Sequence, residues 1–186
     1  MNLKHLSVFA LLLLITSRIL LAQGNHFLFT QQPIDFVHWL MLVGASLTIV
    51  FSFIFPKSII NTIATSLTIL GIVAHIGMCA IDFVFWSFGE DYDGRRELMI
   101  HLMDTPAIWL PFMVVGPIFL YAGLATHAWQ FIRTHTLRAI TTLVGSGVIG
   151  LGQMVWHNQW LVIVGYIVFS LGLVLLVYRK ETPVGT

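Results

Sequence analysis

Three potential ligands stand on one face of an apolar stretch: His75, Cys79 and Asp82, spaced i, i+4 and i+7, fall into line on a helix. Imidazole, thiolate and carboxylate together suit zinc or copper, and Met78 adds a soft sulfur beside them. His38 lies one turn from Asp35 and His101 one turn from Asp104, a spacing in which a carboxylate orients a ligating imidazole. The candidate metal ligands are therefore His38, His75, Cys79, Asp82 and His101. His38 and His75 are also a candidate axial pair for heme, since two histidines on facing helices bind iron from opposite sides. A purely structural use competes with both. An intramembrane histidine can donate to a carbonyl of a neighbouring helix, a cysteine can serve as small apolar filler, and Asp35 and Asp104 can simply mark helix ends. A third use is proton traffic, with Asp35, His75 and Asp82 changing protonation in turn.

The elements that must position these groups are membrane helices. Of 186 residues, 58% are hydrophobic and only 9% charged, and the mean hydropathy is +0.90. So few polar side chains cannot cover a water-facing surface, and the lipid bilayer becomes the expected solvent. The net charge of +1 provides no basic face for nucleic acid. Cys79 is the single cysteine, which excludes an intrachain disulfide. A bilayer core of about 30 Å takes roughly 20 helical residues. Six runs of suitable length are Leu6–Ala22, Ile34–Phe55, Ser58–Phe88, Pro106–Ile132, Ala139–Trp156 and Trp160–Tyr178. The expectation is an all-α polytopic bundle of about six transmembrane helices, with residues 1–186 forming a single integral membrane domain.

Orientation follows from the cations, because short loops rich in Lys and Arg stay cytosolic. With the N-terminus inside, Lys4, Lys57, Arg133, Arg138, Arg179 and Lys180 face the cytosol, while the outer loops hold Arg95 and Arg96. Asp35, Asp82, Glu90, Asp91, Asp93, Glu97 and Asp104 fall toward the outside, and Glu181 within. Both termini are expected in the cytosol, in a bacterial inner membrane or its equivalent. His26, His38, His75, His101 and His157 then belong to the outer half. The first run also has features of a secretory signal, with Lys4 ahead of an apolar stretch and small Ala22 near its end. Leu20 and Arg18 fit such a signal poorly and favour a retained helix. Arg18 is expected to pair with Asp35 on the adjoining helix.

Thr105 and Pro106 signal a helix start, with Glu97–Asp104 as a short outer helix before it and kinks at Pro111 and Pro117. The run 58–88 exceeds the apolar thickness and must tilt or project from it. Gly145, Ser146, Gly147, Gly150 and Gly152 form a small-residue surface for close helix contact, within the chain or between copies in a homo-oligomer. Trp86, Trp109, Trp156 and Trp160 on one side and Trp129 on the other suit interfacial belts. His127 and His135 suit the cytosolic interface, and His157 is placed to close an outer pocket. No G-x-S-x-G, P-loop, HExxH or Gly-rich dinucleotide turn is present, so no common catalytic template applies and enzymatic activity stays open. A zinc hydrolase built from three histidines and an aspartate is the one catalytic option the residues leave.

The leading expectation is a multi-pass membrane protein with a metal- or heme-binding His/Cys/Asp pocket near its non-cytosolic face. The alternatives are a small transporter or proton-relay subunit, and a structural subunit of a larger membrane complex. A reporter fused after Thr186 is expected to be active in the cytosol. Activity on the opposite side of the membrane would reverse the outer placement of the histidines.

Overall fold

In the computed structural model residues 2–179 are described, so Lys180, Glu181 and Thr186 lie outside the described residues. The described residues are helical throughout, without strands. The long helices are α1 (Leu3–Leu21), α3 (Phe36–Ile54), α4 (Ile59–Ser87), α6 (Pro106–Trp129), α7 (Thr136–Met154) and α8 (Gln159–Val177). Two shorter ones, α2 (Asn25–Thr30) and α5 (Tyr92–Met103), occupy the connections α1–α3 and α4–α6. Five of these helices, α1, α3, α4, α6 and α8, are long and apolar enough to cross a membrane. Helix α7 has the same length as α1, but Arg138, Gln153, three threonines and a serine dilute its apolar character.

Helix starts follow side-chain capping. Asn2, Ser58, Asp91 and Asn158 each accept a backbone N–H from the first turn that follows, satisfying donors that have no partner inside the helix. Thr105 departs from the expected pattern. It precedes α6, but its hydroxyl donates back to the His101 carbonyl at 2.9 Å instead of capping the new helix. The expected outer helix is longer than Glu97–Asp104, starting at Tyr92 under the Asp91 cap. Helix α2 was not expected from the sequence.

Pro111 shapes α6. It has no N–H to donate, and the helix opens into a π-helical turn at Leu110–Val115 before resuming as α-helix at Gly116. In α3 the ladder tightens into a 3-10 turn at Thr48–Val50, where Thr48 Oγ1 donates to the Ala45 carbonyl at 2.6 Å.

Each long helix packs on its neighbours in the chain, and α1 closes on α8, so the six form a ring in sequence order. Small residues make the close contacts. Gly44 of α3 abuts Ala10, Leu13 and Leu14 of α1. Gly71 and Ala74 of α4 meet Leu120 and Gly116 of α6. Between α7 and α8, Gly145 abuts Phe169, Gly152 abuts Val162 and Gly172 abuts Thr142, partners in opposite order that mark an antiparallel pair. Apolar stripes complete the packing, as on α1, where Ser7, Ala10, Leu11, Leu14 and Ser17 are buried at helical spacing.

A Cβ added at Gly71 would lie 2.2 Å from the Leu120 backbone nitrogen, whereas one at Gly147 meets nothing within 4 Å. Gly71→Ala is expected to cost about 1–3 kcal/mol through overpacking of α4 against α6. Gly147→Ala is expected to be neutral or slightly stabilising, by up to about 1 kcal/mol of helix propensity. Unfolding in mixed micelles of rising denaturing-detergent fraction measures both.

Candidate functional site

Asp35 stands immediately before α3, where its Oδ1 accepts the His38 backbone N–H at 3.1 Å as the helix cap. Its other oxygen, Oδ2, lies 2.5 Å from His38 Nδ1. This double contact fixes the imidazole, because cap and ring partner belong to one side chain three residues away. The opposite ring nitrogen, Nε2, lies 3.4 Å from Asp82 Oδ2 on α4. One buried imidazole therefore has a carboxylate at each nitrogen. The His38 and Asp35 side chains are 7% and 1% exposed, and Asp82 is the open member at 20%.

The surroundings hold this array in place. The Phe83 ring meets His38 edge-on at 6.3 Å and lies 5.3 Å from Trp39. Trp86 Nε1 donates to the Gln31 carbonyl at 3.1 Å, tying the loop before α3 to the end of α4. Over the same end, the Arg95 guanidinium of α5 lies 3.7 Å from the Phe29 ring centroid of α2, a cation–π contact between the two connections.

The sequence-predicted residues are only partly brought together. Asp82 and His38 meet, and helices α3, α4 and α6 adjoin in the order α3–α4–α6, as the pocket requires. His75 is fully buried, and its Nδ1 bonds the Gly71 carbonyl of its own helix at 2.9 Å rather than a neighbouring one. Its Nε2 has no hydrogen-bond partner in the chain, and its ring faces Tyr121 at 6.0 Å. Cys79 is completely buried within the hydrophobic core. His101 is exposed on α5. Among the described residues, no three His, Cys, Asp or Glu side chains are grouped to hold a metal ion.

Other placements differ from expectation. Arg18 does not pair with Asp35, whose two oxygens are both engaged by His38. The Arg18 Nε donates instead to the Tyr166 hydroxyl at 2.8 Å, and that hydroxyl also bonds the Tyr121 hydroxyl. His127 is not an interface residue. It is fully buried, packed 5.7 Å from the Phe55 ring, and neither ring nitrogen has a hydrogen-bond partner in the chain. His157 lies exposed in the turn before α8, at a left-handed φ of 47°, rather than closing a pocket. The phenols of Tyr121 and Tyr166 were missed by sequence reasoning. Each sits singly in an apolar run, and only the ring closure of the bundle brings them to Arg18.

An imidazole between two carboxylates can hold and pass protons. Both ring nitrogens donate at once only in the imidazolium, so a neutral His38 requires one facing carboxyl to carry the proton. No protein family, curated protein or solved structure matches this chain in comparison searches.

Asp35→Ala removes the cap and one ring partner together and is expected to cost about 3–5 kcal/mol, the range for a broken buried pair. Asp35→Asn keeps a good N-cap and a neutral partner for Nδ1 and is expected to cost less than half as much. Equal destabilisation by the two variants, measured by unfolding in mixed micelles, would mean that the cap contributes nothing.

Proposed function

We propose that the chain handles protons in the membrane, as a small transporter or proton-relay subunit with both termini cytosolic and the Asp35–His38–Asp82 array near the outer face. The supporting observation is the single buried imidazole with a carboxylate at each nitrogen. The array holds two protons either as imidazolium between two carboxylates or as neutral imidazole beside one carboxylic acid. A third proton makes it neutral, and low-dielectric surroundings make that change of charge consequential. Asp82 exchanges protons with the outside, because it is the more exposed carboxylate and the more loosely held. Asp35, pinned by the α3 cap, is the fixed end. His75, two turns before Asp82 on α4 and with no hydrogen-bond partner for Nε2 in the chain, extends the polar column into the bundle.

The test follows proton movement directly. In proteoliposomes with a trapped pH dye, wild type is expected to dissipate an imposed pH gradient faster than empty vesicles, and Asp82→Asn and His38→Phe to lose most of that rate. Infrared absorption of the carboxyl groups is expected to show a reversible protonation that Asp82→Asn abolishes. Wild-type vesicles as tight as empty ones, together with no titrating carboxyl, would sink the proposal.

One observation favours a second reading, a metal centre. Asp35 holds Nδ1 as an orienting carboxylate does, and the 3.4 Å between His38 Nε2 and Asp82 Oδ2 is close to the ~3.3 Å between two ligands on one tetrahedral zinc. Such an ion takes its remaining ligands from water or a substrate, or from Cys79 after a rearrangement of α4. An axial heme pair of His38 and His75 requires His38 to release Asp82. Elemental analysis and the visible spectrum of gently purified protein separate these readings. Near one zinc, copper or heme iron per chain, lost in His38→Phe, would favour a cofactor site over the relay.

A further inference from the structure

A cavity of about 240 Å³ lies between α1, α4, α6, α7 and α8. Arg18, Tyr166 and Tyr121, joined by hydrogen bonds, form a polar cluster on its wall. Gln153 is a further polar side chain on the lining, and the rest is mainly apolar, with Met78 and Met113 among the side chains. Val114, Ile118 and Met154 also line it and are 37%, 43% and 56% exposed, so it opens sideways onto the bundle's apolar outer surface. Gly150 of α7 forms part of the wall, and a Cβ added there would meet nothing within 4 Å.

The half-buried Arg18 guanidinium has phenols, not a carboxylate, as its hydrogen-bonding neighbours. Tyr166 accepts from Arg18 Nε and lies with its ring 5.2 Å from the guanidinium carbon. Among the described residues no carboxylate lies within ion-pair distance of Arg18. A cation in an apolar wall gains most from an oxyanion, which accepts charge-assisted hydrogen bonds from the guanidinium fork and from phenol hydroxyls. The apolar wall and its sideways mouth suit a hydrocarbon chain. The volume is below the roughly 300–1,000 Å³ of a pocket that encloses a whole small molecule, so it takes a head and the first part of a tail, while the rest of the tail lies in lipid. Met78 and Met113 can adjust to its path.

We infer that this cavity binds an anionic amphiphile from the bilayer, with the oxyanion head on Arg18, Tyr121 and Tyr166 and the chain leaving past Val114 and Ile118. The head is a free carboxylate or a phospholipid phosphate. The site shares no lining residue with the Asp35–His38–Asp82 array and stands whether or not that array carries protons.

The full chain in neutral detergent is offered oleate, dioleoylphosphatidylglycerol or oleyl alcohol, and retention is read by native mass spectrometry. Wild type is expected to retain at least one of the anions and to bind the alcohol about tenfold more weakly or less, as loss of a charge-assisted contact implies. Oleate alone identifies a fatty carboxylate as the occupant, and phosphatidylglycerol alone a phospholipid. Arg18→Gln and Gly150→Leu are each expected to weaken anion binding at least about tenfold, the first by removing the charge and the second by filling the cavity with Arg18 intact. Should Arg18→Gln fail to fold, Gly150→Leu decides. Retention of the alcohol equal to that of the anions, anion binding that survives either folded variant, or no anion retained by wild type would overturn the inference.

Discussion

The Asp35 carboxylate is the constraint on which one end of this bundle depends, where α3 begins and α4 ends. One oxygen ends the unsatisfied N–H series at the start of α3, and the other holds the His38 ring. A cap is a local interaction, worth about 1 kcal/mol. Here the same side chain also fixes an imidazole that reaches across to α4, so a local signal sets an interhelical geometry. The ring cannot turn away from Asp82 without giving up Asp35. Phe83 and Trp39 further restrict it, and the Trp86 bond to Gln31 holds the two helix ends at one level.

The bundle itself is held by close backbone approach. In lipid the hydrophobic effect gives helices little reason to associate, and dispersion between well-fitted surfaces takes over. Gly71, Gly116 and Gly123 between α4 and α6, and Gly145, Gly165 and Gly172 between α7 and α8, leave no room for a side chain. The small-residue surface of α7 is divided accordingly. Gly145 and Gly152 seat α8, whereas Gly147 and Gly150 look into open space. The spacing of small residues shows that a helix can be approached closely. It does not show which of them is approached.

The six long helices were legible in the sequence because each is an apolar run between charges or turn residues, and the observed ends lie within a few residues of those runs, although only five of the six are apolar enough to cross a membrane. Asp35 and His38 were legible as a pair, since i and i+3 on one helix start are a local matter. The pairing of His38 with Asp82 needed the order of helices around the ring, which no local pattern encodes. Histidine burial was legible least. His75 and His127 are both fully enclosed while His101 and His157 are exposed, and His127 and His101, each two residues from the end of its helix, gave no local sign of the difference. Arg18 was assigned to the nearest acidic residue by chain proximity. The Asp35 cap had already claimed that partner, and the guanidinium is served by tyrosines far along the chain.

Proline connects the sequence to the second polar region. Pro111 supplies no N–H, and α6 answers with one widened turn instead of a break. Met113 and Val114 belong to that turn, and Pro117 and Ile118 follow it on the wall of the cavity. A regular α-helix would return these side chains to the i, i+4 rows that interlock with a neighbour. A π turn rotates them out of those rows, and α6 meets α4 closely at Gly116 and Leu120. The turn that the missing backbone donor widens thus forms part of the wall beside Arg18, and the two tyrosines are what keep a cation tolerable there.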